Sequence, residues 1–418
     1  MASVPTENAL SGGISLLREG FSFIPNRRKK YRSDVFQLKL AGFKIICIGG
    51  EEAAGIFYDP SKFVRKGAVP IVIQKTLTGE KAIHTTDGAV HQNRKRMFLS
   101  LMTDENIGRL ADLVEKELKT TSLLWEKKNI VIMFCEAQEI LCKAICHWAG
   151  VPLKGEDAER RGREFIAMVD AFGAIGPRNW RGMKARRSVE KWIKGVIEDT
   201  RANRITVQQG TALDIVASHR QTNGKLFDSR LAAVELINLL RPTVAISYYI
   251  AFGGHAFYHF PETRSRFILN EDNYRERFIH ELRRYYPFAP FMGARVKESF
   301  EWKGCKFPEK SLVLLDMFGT NHDARIWDNP DDFNPDRFIG RKIRPFDFLA
   351  QGGGDHQGGH RCPGEWITIE VLKTFFSFLL QKTDFEIPGQ DLSYDLSRMP
   401  TFPRSGFLIK NVRSKVIV

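Results

Sequence analysis

The segment Gln351-Gly352-Gly353-Gly354-Asp355-His356-Gln357-Gly358-Gly359-His360-Arg361-Cys362-Pro363-Gly364-Glu365 gathers more chemistry-bearing residues than any other stretch of this 418-residue chain. A long glycine-rich loop lets backbone approach something flat or bulky. It delivers one cysteine to what reads as the first turn of a helix, with Pro363 suited to the opening position. The helix start and the adjacent Arg361 both favour thiolate over thiol. A thiolate held in this way is a nucleophile or a metal ligand; the bland alternative is a capping loop with an incidental cysteine. His356 and His360 are four apart, a spacing that suits zinc on a helix. They lie among glycines rather than on a helix, so no zinc site is expected.

Two other segments bear on that choice. Glu281-Leu282-Arg283-Arg284 sets Glu281 and Arg284 one helical turn apart, and Phe333-Asn334-Pro335-Asp336-Arg337-Phe338 follows it before the cysteine loop. Either alone is a weak signal, because exposed i,i+3 pairs contribute only tenths of a kcal/mol. A further stretch reads Asn238-Leu239-Leu240-Arg241-Pro242-Thr243-Val244-Ala245. Pro242 removes the amide donor that would meet the Asn238 carbonyl, which predicts a bend there. Arg241 lies at that bend within an apolar stripe. A lone guanidinium in such a place is costly unless an anion meets it; an internal salt bridge to a protein carboxylate is the alternative.

The elements that must position these residues are mostly helical. Val35 to Leu40 and Phe43 to Ile48 read as a hairpin turning at Ala41-Gly42. Thr103-Asp104 caps a helix to about Trp125, and further helices are predicted over 134–148, 157–172, 185–202 and 211–219. A long apolar stretch from Ser229 to Phe260 predicts one rod of roughly 45 Å at about 1.5 Å per residue. Another helix runs from Asn273 to Tyr286, short strands fill 294–318, and a last helix spans Pro363 to Gln381. The tail reads as a small β hairpin. With no repeat and no linker, the pattern predicts one mainly α domain with a minor β portion over residues 1–418.

Composition excludes several classes. Hydrophobic residues make up 43% and charged residues 27%, ordinary values for a globular protein. Six cysteines are too few for a disulfide framework. The pair Cys142 and Cys146 reads as packing. Lys+Arg number 63 against 49 Asp+Glu, a net charge of +14. The excess falls in short runs, Arg27-Arg28-Lys29-Lys30, Arg94-Lys95-Arg96, Arg160-Arg161 and Lys184-Ala185-Arg186-Arg187, which read as solvated helix faces with some attraction for anionic partners, substrates or membrane surfaces. No basic stripe interleaved with aromatics appears, so nucleic acid is not an expected partner. Apolar runs such as Phe375 to Leu380 fall far short of a membrane span. Met1 to Glu7 lacks a signal pattern, and a cytoplasmic location is expected.

In this order and spacing, the Glu281–Arg284 pair, the Arg337 segment and the Cys362 loop resemble the cytochrome P-450 family over nearly the whole chain. The resemblance implies that family's fold, a triangular prism of helices with small β-sheets. It implies haem b (iron protoporphyrin IX) with Cys362 as axial thiolate to the iron, matched by Gly358, His360 and Gly364, and a structural network of Glu281, Arg284 and Arg337. Arg65, His91, Lys95 and Arg361 match propionate contacts; solvent exposure is the alternative for Lys95 and Arg94. Asp355 stands where most of the family carries Phe, which, with Gly352, Gly353 and Gly354, resembles a branch of hydrogen-peroxide-using fatty-acid peroxygenases and alkene-forming decarboxylases.

That branch supplies the expected function. Most members of the family carry an acid–alcohol pair where this chain has Arg241-Pro242. The resemblance implies that Arg241 holds the carboxylate of a long-chain fatty acid, which then serves as general base and acid while hydrogen peroxide is the cosubstrate. His84 corresponds to a position beside the substrate α and β carbons; as a residue that titrates near neutrality, it is expected to donate a proton and favour decarboxylation. Thr78 replaces the Phe of the alkene-forming members. The expected products are Cα/Cβ hydroxy fatty acids and terminal alkenes. A conventional monooxygenase served by an acidic ferredoxin or flavodoxin, and a non-catalytic haem-containing fatty-acid binder, are the rival readings.

Overall fold

The computed structural model describes residues 4–415 other than 8, 41 and 42. The Ala41-Gly42 turn and the first residues of the Met1 to Glu7 segment lie outside the described residues. Helices account for 53% and strands for 12% of the chain, the expected mainly α class with small sheets.

Local chemistry explains where the main helices start and stop. Asp104–Trp125 opens at Thr103, whose hydroxyl accepts from the Asn106 amide at 3.2 Å, with Asp104 and Glu105 in the first turn. Met133–Ala149 ends at Gly150, whose φ of 73° only glycine adopts freely. Pro177–Arg201 begins well before the predicted residue 185, with Pro177 in the opening position.

The central helix Ser229–Val244 is capped by Asp228, which accepts from the Leu231 amide at 2.8 Å. Every position from Leu231 to Arg241 is buried, the mark of a helix inside a core. The single rod predicted to Phe260 is divided: helix lapses at Ala245 and Ile246 and resumes over Ser247–His259. Pro242 has no amide for the Asn238 carbonyl, and the Thr243 hydroxyl bonds back to the Leu239 carbonyl at 3.1 Å. The Ile246 and Tyr248 amides then bond three residues back, so the ladder fails just beyond the proline rather than at it. Ser229–His259 is, by length and composition, apolar enough to cross a bilayer, contrary to the expectation that no stretch approaches a span. Its most apolar window is 94% buried in protein.

A six-stranded sheet runs in the order Thr6–Glu7, Val35–Leu40, Phe43–Gly49, Leu312–Asp316, Phe291–Val296, Phe63–Val64. The tail differs from the expected small hairpin: Thr383–Glu386 pairs with Leu408–Ser414 across a long excursion. The last helix starts at Glu365, so Pro363 lies in the preceding turn, not at its opening position. This helix and Ser229–Val244 flank the cysteine loop.

Candidate functional site

A cavity of about 320 Å³ lies between Ser229–Val244 and the cysteine loop, lined by Cys362, His84, His91, Lys95, Arg361, Asn238 and Pro242 among others. A larger surface groove of about 820 Å³ includes Arg28, Asp34, Asp323 and Arg325. Those four charges neutralise one another in ion pairs, whereas the smaller cavity holds the loop cysteine and uncompensated cations, so the smaller cavity is the chemical one.

Cys362 is anchored by its own amide, which donates to the Gln351 carbonyl at 3.0 Å. The Gln351 Nε2 lies 3.7 Å from Sγ and donates to Thr368 Oγ1 at 3.0 Å. Burial pushes the thiol up, and the Gly364 amide, Lys95 and Arg283 offset this only in part. Arg361, expected to favour the thiolate, instead directs its Nε at Glu365, 2.7 Å away. Burial alone would raise Glu365 as well, but Arg283 and Arg361 bring it down to about 2. A cavity-facing thiol held protonated in this way is a poor free nucleophile, whereas coordination to a metal cation deprotonates it outright. The surroundings suit a ligand. Asp355 closes the loop by accepting from the Gln357 and Gly358 amides at 3.0 and 2.7 Å.

The cations expected around a haem fall into two groups. His91, Lys95 and Arg361 line the cavity; Arg65 does not. Arg65 donates to the Gly293 carbonyl at 3.0 Å and lies 4.2 Å over the Phe57 ring; burial pushes it down to about 10. Lys95 is 1% exposed, which removes the solvated alternative, and donates to the Arg361 carbonyl. Burial pushes it down to about 8. His91 packs on His360 with ring centroids 3.9 Å apart. Among the described residues, neither Arg65 nor Lys95 has an ion-paired carboxylate. Buried cations without counterions, beside a cavity-facing thiol in a glycine-rich loop, fit an iron porphyrin bearing two carboxylates.

Arg241 sits beside this cavity without being part of its lining. It is buried, its Nη2 donates to Asn238 Oδ1 at 3.3 Å and its Nε has no partner. Among the described residues no carboxylate pairs with it, which answers the salt-bridge alternative. Burial, with Arg186 adding to it, pushes the guanidinium down to about 9, so it stays charged at neutral pH. His84 has open area, but that area faces the cavity, and its depth sets its solvation. Burial, then the Arg241 cation, pushes the imidazole down to about 3. It is therefore neutral near pH 7, which corrects the expectation of a residue titrating near neutrality. Thr78 turns its carbonyl to the Asn238 amide at 3.0 Å.

The structural triad is present as expected. Arg284 grips Glu281 with Nε and Nη2 at 2.7 and 2.8 Å, and Arg337 Nε reaches Glu281 at 3.1 Å. The remaining guanidinium donors of both arginines meet backbone carbonyls between 321 and 332. Four neighbours of the site escaped the sequence reading. Glu235 and Asn238 lie one turn apart on the Arg241 helix, and Arg283 ion-pairs with Glu365 at 2.5 Å. The helical spacing of 235, 238 and 241 was the available signal.

A sequence profile of the cytochrome P450 family matches residues 269–417. Among curated proteins, cytochrome P450 76C4 of Arabidopsis thaliana is 30% identical over 134 residues, 31% of this chain and a quarter of that protein's length. Among solved structures, cytochrome P450EX alpha (CYP152N1) with myristic acid is 41% identical, covering 99% of this chain and all of that one, at a TM-score of 0.95. A point variant of cytochrome P450 OleT in complex with arachidonic acid is 36% identical, with full coverage of both chains and a TM-score of 0.96. A match of that identity from end to end, on a cavity holding the cysteine that the loop delivers, shows that the chain belongs to the cytochrome P450 family.

Proposed function

We propose that the protein is a haem-thiolate peroxygenase that uses hydrogen peroxide to oxidise long-chain fatty acids at Cα or Cβ, giving hydroxy acids and, by oxidative decarboxylation, terminal alkenes. One observation carries the reading: a buried, charged guanidinium, Arg241, stands beside the Cys362 cavity with no protein carboxylate to neutralise it. The myristic and arachidonic acids in the two similar structures are consistent with it.

Cys362 would hold the haem iron through its sulfur, with His91, Lys95 and Arg361 at the cavity wall and Arg65 outside that lining as cations for the haem carboxylates. The chemistry a bound haem supplies is activation of peroxide oxygen at iron. The rest falls to the protein. Arg241 pairs with the substrate carboxylate, and bidentate geometry fixes which carbon faces the iron. At about 0.8 kcal/mol per methylene, fourteen methylenes contribute up to roughly 11 kcal/mol, so the tail dominates affinity and the headgroup sets position. The carboxylate held by Arg241 moves the proton between the two oxygens of peroxide, the task an acid–alcohol pair performs elsewhere. Pro242 leaves the Asn238 carbonyl of the preceding turn without its helical amide donor. Neutral His84 contributes a hydrogen bond at the substrate's reacting end, not a full charge.

The test is purified protein with palmitate and peroxide alone, with extract and volatile fraction analysed by mass spectrometry. Hydroxy acid or alkene is expected. Turnover appearing only with a ferredoxin or flavodoxin reductase chain would sink the peroxygenase reading.

A further inference from the structure

Glu235 has no part in the reaction just described, yet it is the fully buried carboxylate nearest to it along the helix. Its Oε1 accepts from Arg94 Nη1 and from the Ile83 backbone amide, each at 2.9 Å. Its Oε2 accepts from the Asn238 amide at 3.4 Å. Asn238 Nδ2 also donates to the Thr78 carbonyl at 3.0 Å, and its Oδ1 receives Arg241 Nη2 at 3.3 Å. One carboxylate thus joins helix Gly88–Leu99, the segment carrying Thr78 and His84, and Arg241. Ile83 immediately precedes His84, so the same anion restrains the two residues expected to flank the substrate's reacting end, which lie far apart in sequence.

We propose that Glu235 is the positioning residue that holds His84 and Arg241 in register, acting through the Ile83 amide and through Asn238. The link to Arg241 is a neutral amide rather than a carboxylate. That choice orients the guanidinium while leaving its charge uncompensated for an incoming carboxylate; an acid at 238 would neutralise it from within. The Ile83 amide and Asn238 satisfy the carboxylate lone pairs that Arg94 leaves open, and both of those partners lead on to site residues.

This inference rests on the reading of Arg241 as the carboxylate site, so Arg241→Ala is the control. Haem-loaded variants are titrated with palmitate by calorimetry and by the haem absorption shift, with melting temperature and product ratio recorded. Asn238→Asp, which sets a carboxylate on Arg241 but gives up the donor to the Thr78 carbonyl and Glu235, is expected to weaken palmitate binding at least tenfold and to lower the melting temperature somewhat. Glu235→Gln, which keeps an acceptor for Ile83 but loses the ion pair, is expected to weaken binding severalfold and change the Cα to Cβ product ratio, with Glu235→Asp recovering part of both. Wild-type binding and product ratio in Asn238→Asp and Glu235→Gln, alongside a defective Arg241→Ala, would overturn the positioning role alone. Wild-type behaviour in Arg241→Ala would overturn the underlying reading first. Should Glu235→Gln fail to fold, Glu235→Asp, which keeps the charge but shortens the reach to Ile83 and Asn238, takes its place: wild-type binding and product ratio there would overturn the positioning role.

Discussion

Arg241 is a buried cation whose side-chain partner is a neutral amide, and its desolvation is unrelieved until an anion arrives. Removing it should therefore cost little stability and much function. Arg241→Ala is expected to melt at or above the wild-type temperature while palmitate oxidation falls about ten- to hundredfold, since hydrogen bonds to charged groups contribute roughly 1.5–3 kcal/mol. Scanning calorimetry and product analysis check the two halves; a large drop in melting temperature would mean the guanidinium is structural. His84 makes a different demand. With its imidazole held down to about 3, it does not change charge in the neutral range. The ratio of alkene to hydroxy acid is expected to stay constant from about pH 5 to 8. A step in that ratio near pH 6–7 would show that His84 is charged during turnover.

At the scale of elements, close packing of the helix Ser247–His259 holds the second half of the central stretch. A Cβ at Gly253 would lie 2.1 Å from Phe376 Cζ, and one at Gly254 would lie 2.1 Å from Phe407 Cδ1. Gly253→Ala is expected to destabilise by about 1–3 kcal/mol through overpacking. Gly195, mid-helix in Pro177–Arg201, has nothing within 4 Å of the same position. Gly195→Ala is expected to stabilise by about 0.5–1 kcal/mol. Opposite shifts in urea midpoint would confirm the contrast. Neither glycine's environment is readable from the chain, because Phe376 and Phe407 come from distant elements. The helices themselves were largely legible where a cap and an apolar period coincide, as at Thr103. They were misplaced where a proline or glycine changed meaning with context: Pro177 opens a helix, Pro242 sits inside one, and Pro363 precedes one.

For the whole molecule, half-buried histidines set the acid limit. Burial, then His259, pushes His255 down to about 3; burial, then Arg284, pushes His322 down to about 4. Both values lie below the roughly 6.5 of an unfolded chain, so the unfolded state takes up the proton first. Stability is full above that pH and is lost as pH falls toward the folded values. Most carboxylates are still ionised between about pH 6.5 and 4.5. Asp316, raised to about 6 by burial, works in the opposite direction, but the histidines outnumber it. The melting temperature is expected to fall across that window, and His255→Asn to flatten the fall. A curve indifferent to that substitution would remove His255 from the account.

The sequence alone determined the kinds of group that meet and roughly which elements carry them. One cysteine in a glycine-rich loop, a Glu-x-x-Arg helix and an arginine beside a proline in an apolar stretch are all local patterns, set by backbone geometry and by the cost of burying charge. What only tertiary structure decided is protonation and registry. His84 is neutral because the fold sets it deep in the cavity beside Arg241, and Arg361 turns to Glu365 because the loop and last helix bring them together. Arg241 stays unpaired because its neighbour in space is Asn238, while Glu235 engages Arg94 and Ile83 from remote segments. Solvation and pairing depend on everything within a few ångströms, and most of that neighbourhood is far away along the chain.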